Sequence, residues 1–312
     1  MKHGLLIKPR QTDYVRGVNS PLTLKSVNSG DWTPYFLFNE HQRNPQFDDD
    51  GCACYDANKV LDAWVNFLIA TQVIPSSVVS QFTSLGFMDT GIDGQPHFHT
   101  SPRFTENMTG NGMNGNSIPE CFDVIRKYGA VPWTLLPFDM AMTPAEYFSP
   151  IPQTVMDMGV QFLNLMGGSN FLQYHWVFDG TPKDISAMQQ AITESPLSIG
   201  IAVDDAGWNQ PFPVDPPADQ APQHAVSVPK INGNVVQISD NYIPFTKYLD
   251  AGYPINYCLQ TQVQFLGQVE QQIVNTVSEI VPEVAQAPIP NPAKETLLQE
   301  IADALEKFLA TL

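Results

Sequence analysis

The chain has no long apolar run. No segment approaches the roughly 18 continuous apolar residues that a bilayer span requires, and near the N-terminus only Leu5-Leu6-Ile7 stand together before Lys8. That run is too short for a signal peptide or an anchor, so the expectation is cytoplasmic synthesis, no secretory signal and no membrane insertion. Cations are scarce as well: 15 Lys and Arg against 32 Asp and Glu leave a formal charge of −17 over 312 residues. So acidic a surface argues against nucleic acid or anionic membrane as the main partner. Cysteine is sparse too. Cys52, Cys54, Cys121 and Cys258 cannot make a disulfide framework in a chain this long. The Cys52-x-Cys54 pair has no second cluster to complete a zinc site, so free thiols, no metal and no cofactor are expected.

What is present is a core. Hydrophobic residues make up 43% and aromatics 11%, which excludes disorder for most of the length. Residues 1–50 are polar and irregular and read as a wrapping arm. From Cys54 to about Ala70, Val60, Leu61, Trp64, Phe67 and Leu68 recur at helical spacing with two apolar faces, which predicts a deeply buried helix. A short helix follows around 76–85, then a long Gly/Asn/Thr-rich loop over 86–116. Ser117-Ile118-Pro119-Glu120 fits a capping box, Gly129 ends that helix, and Cys121 falls on its core stripe. Helices over 152–167 and 183–194 and strands over 171–178 and 196–203 come next. The Asn232-Gly233 turn between two alternating runs is a strong hairpin signal, and a further strand is expected over 257–265. The first half is thus mainly helical and the second mainly antiparallel sheet. After a polar helix and Pro-rich linker over 268–292, residues 293–312 carry one apolar stripe through Leu297, Leu298, Ile301, Leu305 and Phe308. A helix behind a linker cannot bury such a stripe alone, so it needs its own body or another protein subunit as partner.

Chemistry gathers around Gln46-Phe47-Asp48-Asp49-Asp50-Gly51-Cys52-Ala53-Cys54-Tyr55. A cysteine at a loop-to-helix junction receives the positive end of the helix dipole, which favours the thiolate. Gln223-His224-Ala225-Val226 offers a base, and Ile238-Ser239-Asp240-Asn241-Tyr242, a hairpin's length later, offers an acceptor to orient it. Asp240 and its neighbour Asn241 compete for that role, with Asp240 preferred. His97-Phe98-His99 lacks a matching carboxylate or cysteine and reads as surface loop rather than metal ligands. Asp48-Asp49-Asp50-Gly51 lacks the alternating ligands of a calcium loop and, beside a nucleophile, would oppose a thiolate.

This ordered set resembles the papain-like cysteine peptidases over roughly residues 30–265. Ala53-Cys54-Tyr55 match the last three positions of their C-G-[SA]-C-[WY] signature. The run 111–116 with the helix and turn that follow resembles their Gly/Asn loop, Gln223-His224-Ala225-Val226 their NHAV strand, and Ile238–Tyr242 their IKNSW segment. The resemblance implies an α+β fold with a helical half at about 51–168, an antiparallel barrel-like half at about 169–267, and a cleft between them. It implies Cys54 as nucleophile, His224 as its proton partner and Asp240 where the family has Asn. Gln46 is the candidate for the oxyanion hole and Gln42 the second option. The family's glutamine lies six residues before its nucleophile, whereas Gln46 lies eight before Cys54 and six before Cys52, so Cys52 is a rival nucleophile. Tyr55 and Tyr242 replace the family's tryptophans, and Met113 stands where a disulfide partner would be. The pattern is similar to divergent papain-like proteins among bacteriophage virion components. Two functions are therefore expected in competition. One is a peptidase or amide hydrolase acting on peptide or protein. The other is a weakly active or inactive structural protein of a virus particle.

Overall fold

The computed structural model describes residues 29–180, 183–204, 207–217, 220–250 and 252–267, with 5–6, 14–15, 27, 296 and 299–300 outside those stretches. The expected linker over 268–292 and the amphipathic helix over 293–312 lie almost wholly outside the described residues. So does most of the N-terminal arm before residue 29.

In chain order, β1 (Tyr14–Val15) precedes the central helix α1 (Cys52–Ala70). Next come α2 (Ser76–Ser84), a small hairpin of β2 (Met88–Thr90) and β3 (Pro96–Phe98), and α3 (Pro102–Thr109). α4 (Ile118–Tyr128), α5 (Pro144–Tyr147) and α6 (Gln153–Met166) complete the helical half. The sheet half holds β4 (Leu172–Asp179), α7 (Ile185–Ala191), β5 (Leu197–Ile201), β6 (His224–Asn232), β7 (Val235–Ser239), β8 (Thr246–Leu249) and β9 (Ile255–Val263). Its strands pair in the order β1-β4-β9-β5-β6-β7-β8, antiparallel except for β1 against β4. The fold class is α+β, as expected.

α1 holds the two halves together. Every residue from Cys52 to Leu68 is buried, including Asp56, Asn58, Lys59, Asp62 and Asn66. Buried polar groups on a helix demand partners, and they find them on two separate stripes. Asn58, Asp62 and Asn66, at i+4 spacing, face the helical half: Asn58 Nδ2 donates to Thr105 Oγ1 (2.9 Å), Thr100 Oγ1 to Asp62 Oδ1 (2.7 Å), and Asn66 Nδ2 to Phe98 O (3.0 Å). Asp56 and Lys59 face the sheet half: Ser227 Oγ donates to Asp56 Oδ1 (2.6 Å) and Lys59 Nζ to Asp240 O (2.7 Å). The indole of Trp64 adds a bond to Thr261 O on β9 (2.8 Å). One helix is thereby bonded to both halves.

Two expectations over residues 86–116 need revision. The stretch is not one loop but contains the β2–β3 hairpin and α3. α3 has only Phe104 and Met108 as large apolar residues, so no stripe announces it. Local signals decide instead: the Ser101 side chain caps Phe104 N, Pro102 occupies the first turn, and Gly110 closes the helix at φ +74°. β8 is also new. The expected caps elsewhere are present: Ser117 accepts from Glu120 N, and Gly233 turns the β6–β7 hairpin at φ +57°.

α4 and α6 approach to backbone contact at two glycines. A Cβ on Gly129 (φ +79°) would lie 1.9 Å from Gly159 O, and one on Gly159 would lie 2.2 Å from Tyr128 O. Gly159→Ala must push the helices apart. It is expected to lower stability by about 2 kcal/mol, within the usual cost of overpacking. The urea midpoint should fall with the m-value unchanged; an unaltered midpoint would show that α6 shifts freely.

Candidate active site

α1 begins at Cys52, with Gly51 as its N-cap and no side-chain cap. Gly51 is needed for close approach, since a Cβ there would sit 2.3 Å from Glu106 Oε2. Two residues apart on a helix are about 200° apart around its axis, so Cys52 and Cys54 point in opposite directions. The structure sends Cys54 away from the sheet: its Sγ lies 3.0 Å from Cys121 Sγ on α4, and its carbonyl accepts from Asn58. Cys54 belongs to the stripe of Asn58, Asp62 and Asn66. Cys52 belongs to that of Asp56 and Lys59, and its Sγ accepts from Ala225 N at 3.4 Å, beside His224. The structure therefore places Cys54, the candidate from the sequence, against α4. The thiol that faces β6 is that of Cys52.

His224 opens β6 and Asp240 follows β7, and the hairpin brings them together with His224 Nε2 2.7 Å from Asp240 Oδ1. Asp240 also accepts from Asn241 N (2.7 Å), and its second oxygen accepts from Lys247 on β8. Asn241 itself turns to Gln42, its Nδ2 donating to Oε1 at 3.4 Å. Lys247 spends its three protons on Asp240 Oδ2, Tyr242 O (2.8 Å) and Pro244 O (2.7 Å), the full complement of an ammonium. Burial opposes ionisation of Asp240, yet the charges and hydrogen bonds of His224 and Lys247 hold its carboxyl far below the ordinary range. His224 is therefore fixed through Nε2 by an ionised acceptor, and Nδ1 is the nitrogen that can serve a thiol.

Two aromatic rings enclose the imidazole. Trp208 meets it edge-on, with centroids 5.4 Å apart, and Tyr242 is tilted at 5.5 Å. Lys247 Nζ in turn lies 5.0 Å from the Trp208 ring centroid. Trp208 and Lys247 escaped the sequence reading. The alternation of buried Lys247 and Leu249 in β8 would have flagged an inward lysine, had that strand been recognised.

Gln46 is not in this site. The Asn44 side chain accepts from Gln46 N and Phe47 N and turns the chain outward, so that the exposed Gln46 amide donates to Ala141 O. Gln42 is the buried glutamine, donating to Tyr242 OH (2.8 Å) and Asp48 Oδ1 (3.1 Å). Asp48 Oδ2 accepts from Tyr242 OH (2.7 Å). Within the aspartate run, Asp49 turns to the interior, accepting from Gly51 N and Tyr55 OH.

Cys52, His224 and Asp240 all have 0% exposure. Burial pushes the Cys52 thiol well above its ordinary value; the Ala225 N–H opposes this, while Cys121, Asp48 and Asp56 reinforce it. The N-terminal arm passes beside the site. Leu5 N donates to Gln223 O (3.1 Å), just before His224, and Leu6 N to Asn116 O (2.8 Å), just before α4. With Ile118, Pro119, Trp176, Gly200 and Tyr257 the two leucines leave a residual cavity of about 20 Å³. Their backbone thus bridges the helical and sheet halves.

His99 departs from the expected surface loop. It is buried, stacked on Phe38 (3.6 Å between centroids) and Trp133 (5.0 Å), and its nitrogens meet Glu40 and Asp89. Among the described residues no cluster of three or more His, Cys, Asp or Glu is arranged to hold a metal.

Solved structures share this architecture. Xylellain, a cysteine protease from Xylella fastidiosa, superposes with a TM-score of 0.55 at 13% identity, covering 84% of this chain and 96% of its own. Digestive procathepsin L 3 of the Tenebrio molitor larval midgut gives 0.51 at 13% identity, covering 84% and 76%. The fold is that of the papain-like cysteine proteases. Identity this low speaks for the fold alone. No protein-family model matches the sequence, and no curated protein does. In this chain α1 is the helix at the junction of the halves, and β6 begins at His224.

The seam between α1 and β6 makes stability depend on pH. Burial pushes Asp56 up to about 7, against the hydroxyls of Ser227 and Ser198 and the charge of Lys59. The folded state therefore keeps a proton that the unfolded chain releases above its ordinary 3.8. This contribution is fully present below about pH 4 and is lost as pH rises to about 7. Asp56→Asn keeps the acceptor for Ser227 and removes the charge. It should flatten that part of the pH–stability curve and raise stability at pH 7.5 by up to about 4 kcal/mol, at roughly 1.4 kcal/mol for each tenfold change in proton affinity. Asp62, also at about 7, keeps its own share of the slope. Parallel curves for the two proteins in urea unfolding would contradict the assignment.

Proposed function

We propose that this chain is a cysteine peptidase or related amide hydrolase in which Cys52 is the nucleophile. The observation that carries the reading is the Cys52 sulfur against the backbone of Ala225, with the Asp240-anchored imidazole of His224 as the adjoining side chain. Cys52 attacks a carbonyl as thiolate, and the imidazolium of His224 then protonates the leaving amine. Asp240, held ionised by Lys247, fixes the ring and offsets its charge. The Gln42 amide and the Cys52 N–H at the start of α1 serve as the oxyanion donors in this reading. In the closed arrangement both protons of that amide are engaged, one by the carboxylate of Asp48 and one by the hydroxyl of Tyr242. Opening must free the amide and hydrate the thiol, which lowers its pKa.

A second reading has an observation of its own. The complete burial of Cys52, His224 and Asp240 favours a weakly active or inactive member serving as a structural protein, such as a virion component assembled through its C-terminal segment. The two readings separate on reactivity. A small thiol-directed alkylating reagent should label wild type and Cys54→Ala at neutral pH but not Cys52→Ala. Leu5→Asp combined with Leu6→Asp should raise both the labelling rate and turnover of a fluorogenic peptide amide by at least ~10-fold. Cys52 that stays unreactive in that variant, with no amide turnover, defeats the enzyme reading.

A further inference from the structure

The thiol pair on the other face of α1 has no part in this chemistry. Cys54 and Cys121 lie 67 residues apart in the sequence, on two helices that pack directly against each other, and both are fully buried. Their sulfurs are 3.0 Å apart, about 1 Å beyond the roughly 2.05 Å of a disulfide bond. Nothing at Cys54 supports a thiolate: burial, then Cys121, Glu106 and Asp49, push it well up. The pair is therefore neither a nucleophile at rest nor a metal site. Cys52 cannot substitute for either partner, because its sulfur is on the opposite side of the helix against Ala225. Two thiols at this separation can couple once one of them gives up its proton to meet an oxidant.

We propose that Cys54 and Cys121 are an intramolecular redox pair that closes to a disulfide between α1 and α4, with a small peroxide or a low-molecular-weight disulfide as oxidant. With peroxide, the Cys121 sulfur, to which the Cys54 thiol donates, attacks as thiolate. The O–O bond breaks, the sulfur becomes a sulfenic acid, and the departing hydroxide takes up the proton that Cys121 gave up and leaves as water. The second sulfur then attacks it, the S–S bond forms and a second water leaves. Two thiols lose two protons and two electrons, and the peroxide becomes two waters. With a disulfide oxidant, exchange through a mixed disulfide releases two thiols instead. Burial restricts bulky oxidants in the folded protein, so peroxide acts on the native state and exchange during folding. The bond ties the first turn of α1, two residues from Cys52, to the helix whose start lies beside Leu5 and Leu6. The pair couples whether or not the chain is a peptidase.

The test has two arms on the full chain. Folded protein is treated with hydrogen peroxide, and separately the reduced chain is refolded in a glutathione redox buffer. Both are then denatured, alkylated and digested without reduction for mass spectrometry. A cross-linked peptide joining Cys54 to Cys121, two hydrogens lighter than its parts and absent after reductant, is expected in either arm. Recovery of both cysteines as alkylated thiols in both arms overturns the proposal, as does a cross-link through Cys52 or Cys258. For so long a closed loop, the thermal midpoint of the oxidised wild type should exceed that of the reduced protein by roughly 5–10 °C. Equal midpoints would mean that no stabilising link forms. Cys54→Ser should abolish the cross-link, and the wild-type comparison with and without reductant keeps the test decisive if that variant fails to fold.

Discussion

A fully buried helix with charged and amide side chains on two stripes is the constraint on which the rest depends. α1 could not be sunk between a helical bundle and a sheet unless each of those groups met a partner, since an unmatched buried polar group costs about 1–3 kcal/mol. The partners come from both sides, Thr100, Thr105 and Phe98 from the helical half and Ser227 and Asp240 from the hairpin. This pins the rotation of the helix about its axis. Rotation in turn decides which cysteine meets the histidine and which meets another cysteine.

The second buried chain runs from Lys247 through Asp240 to His224. An amide in place of Asp240 could orient the imidazole without any countercharge. A carboxylate needs one, and Lys247 provides it with all three protons matched to oxygens. Removing one partner of such a pair leaves the other charged in a dry interior. Asp240 and Lys247 are thus coupled in a way that ties β8 to the site, and Trp208 packs against Lys247 and His224. The arrangement makes an ionised acceptor stable at a position with 0% exposure.

The acidic run before α1 has a role different from the one its charge suggests. Asp48 engages Gln42 and Tyr242, while Asp49 braces Gly51 and Tyr55. Burial pushes Asp49 and Glu106 up, so these carboxyls tend to hold protons instead of presenting charge. The thiol of Cys52 sits in the same dry, acidic surroundings. Closure and a thiol held in its neutral form are therefore one property, produced by desolvation.

The α+β architecture, the buried helix, the β6–β7 hairpin and the His224–Asp240 pair were legible in the residues. Apolar periodicity, a glycine turn and hairpin spacing act over short range and leave their mark on the sequence. α3, β8, Trp208 and Lys247 were not legible, because burial by distant neighbours decides them. The choice between Cys52 and Cys54 falls between these cases. The i+4 spacing of Asn58, Asp62 and Asn66 with Cys54, and of Asp56 with Cys52, is in the sequence. Which stripe faces the sheet is not. By itself the sequence determined that a cysteine starts the central helix and that a histidine and an aspartate share a hairpin. Only tertiary packing decided which thiol they face, that Gln42 and not Gln46 lies beside Tyr242 and Asp48, and that the whole set is closed off from solvent. The reason is that side-chain direction around a buried helix is set by partners far away along the chain.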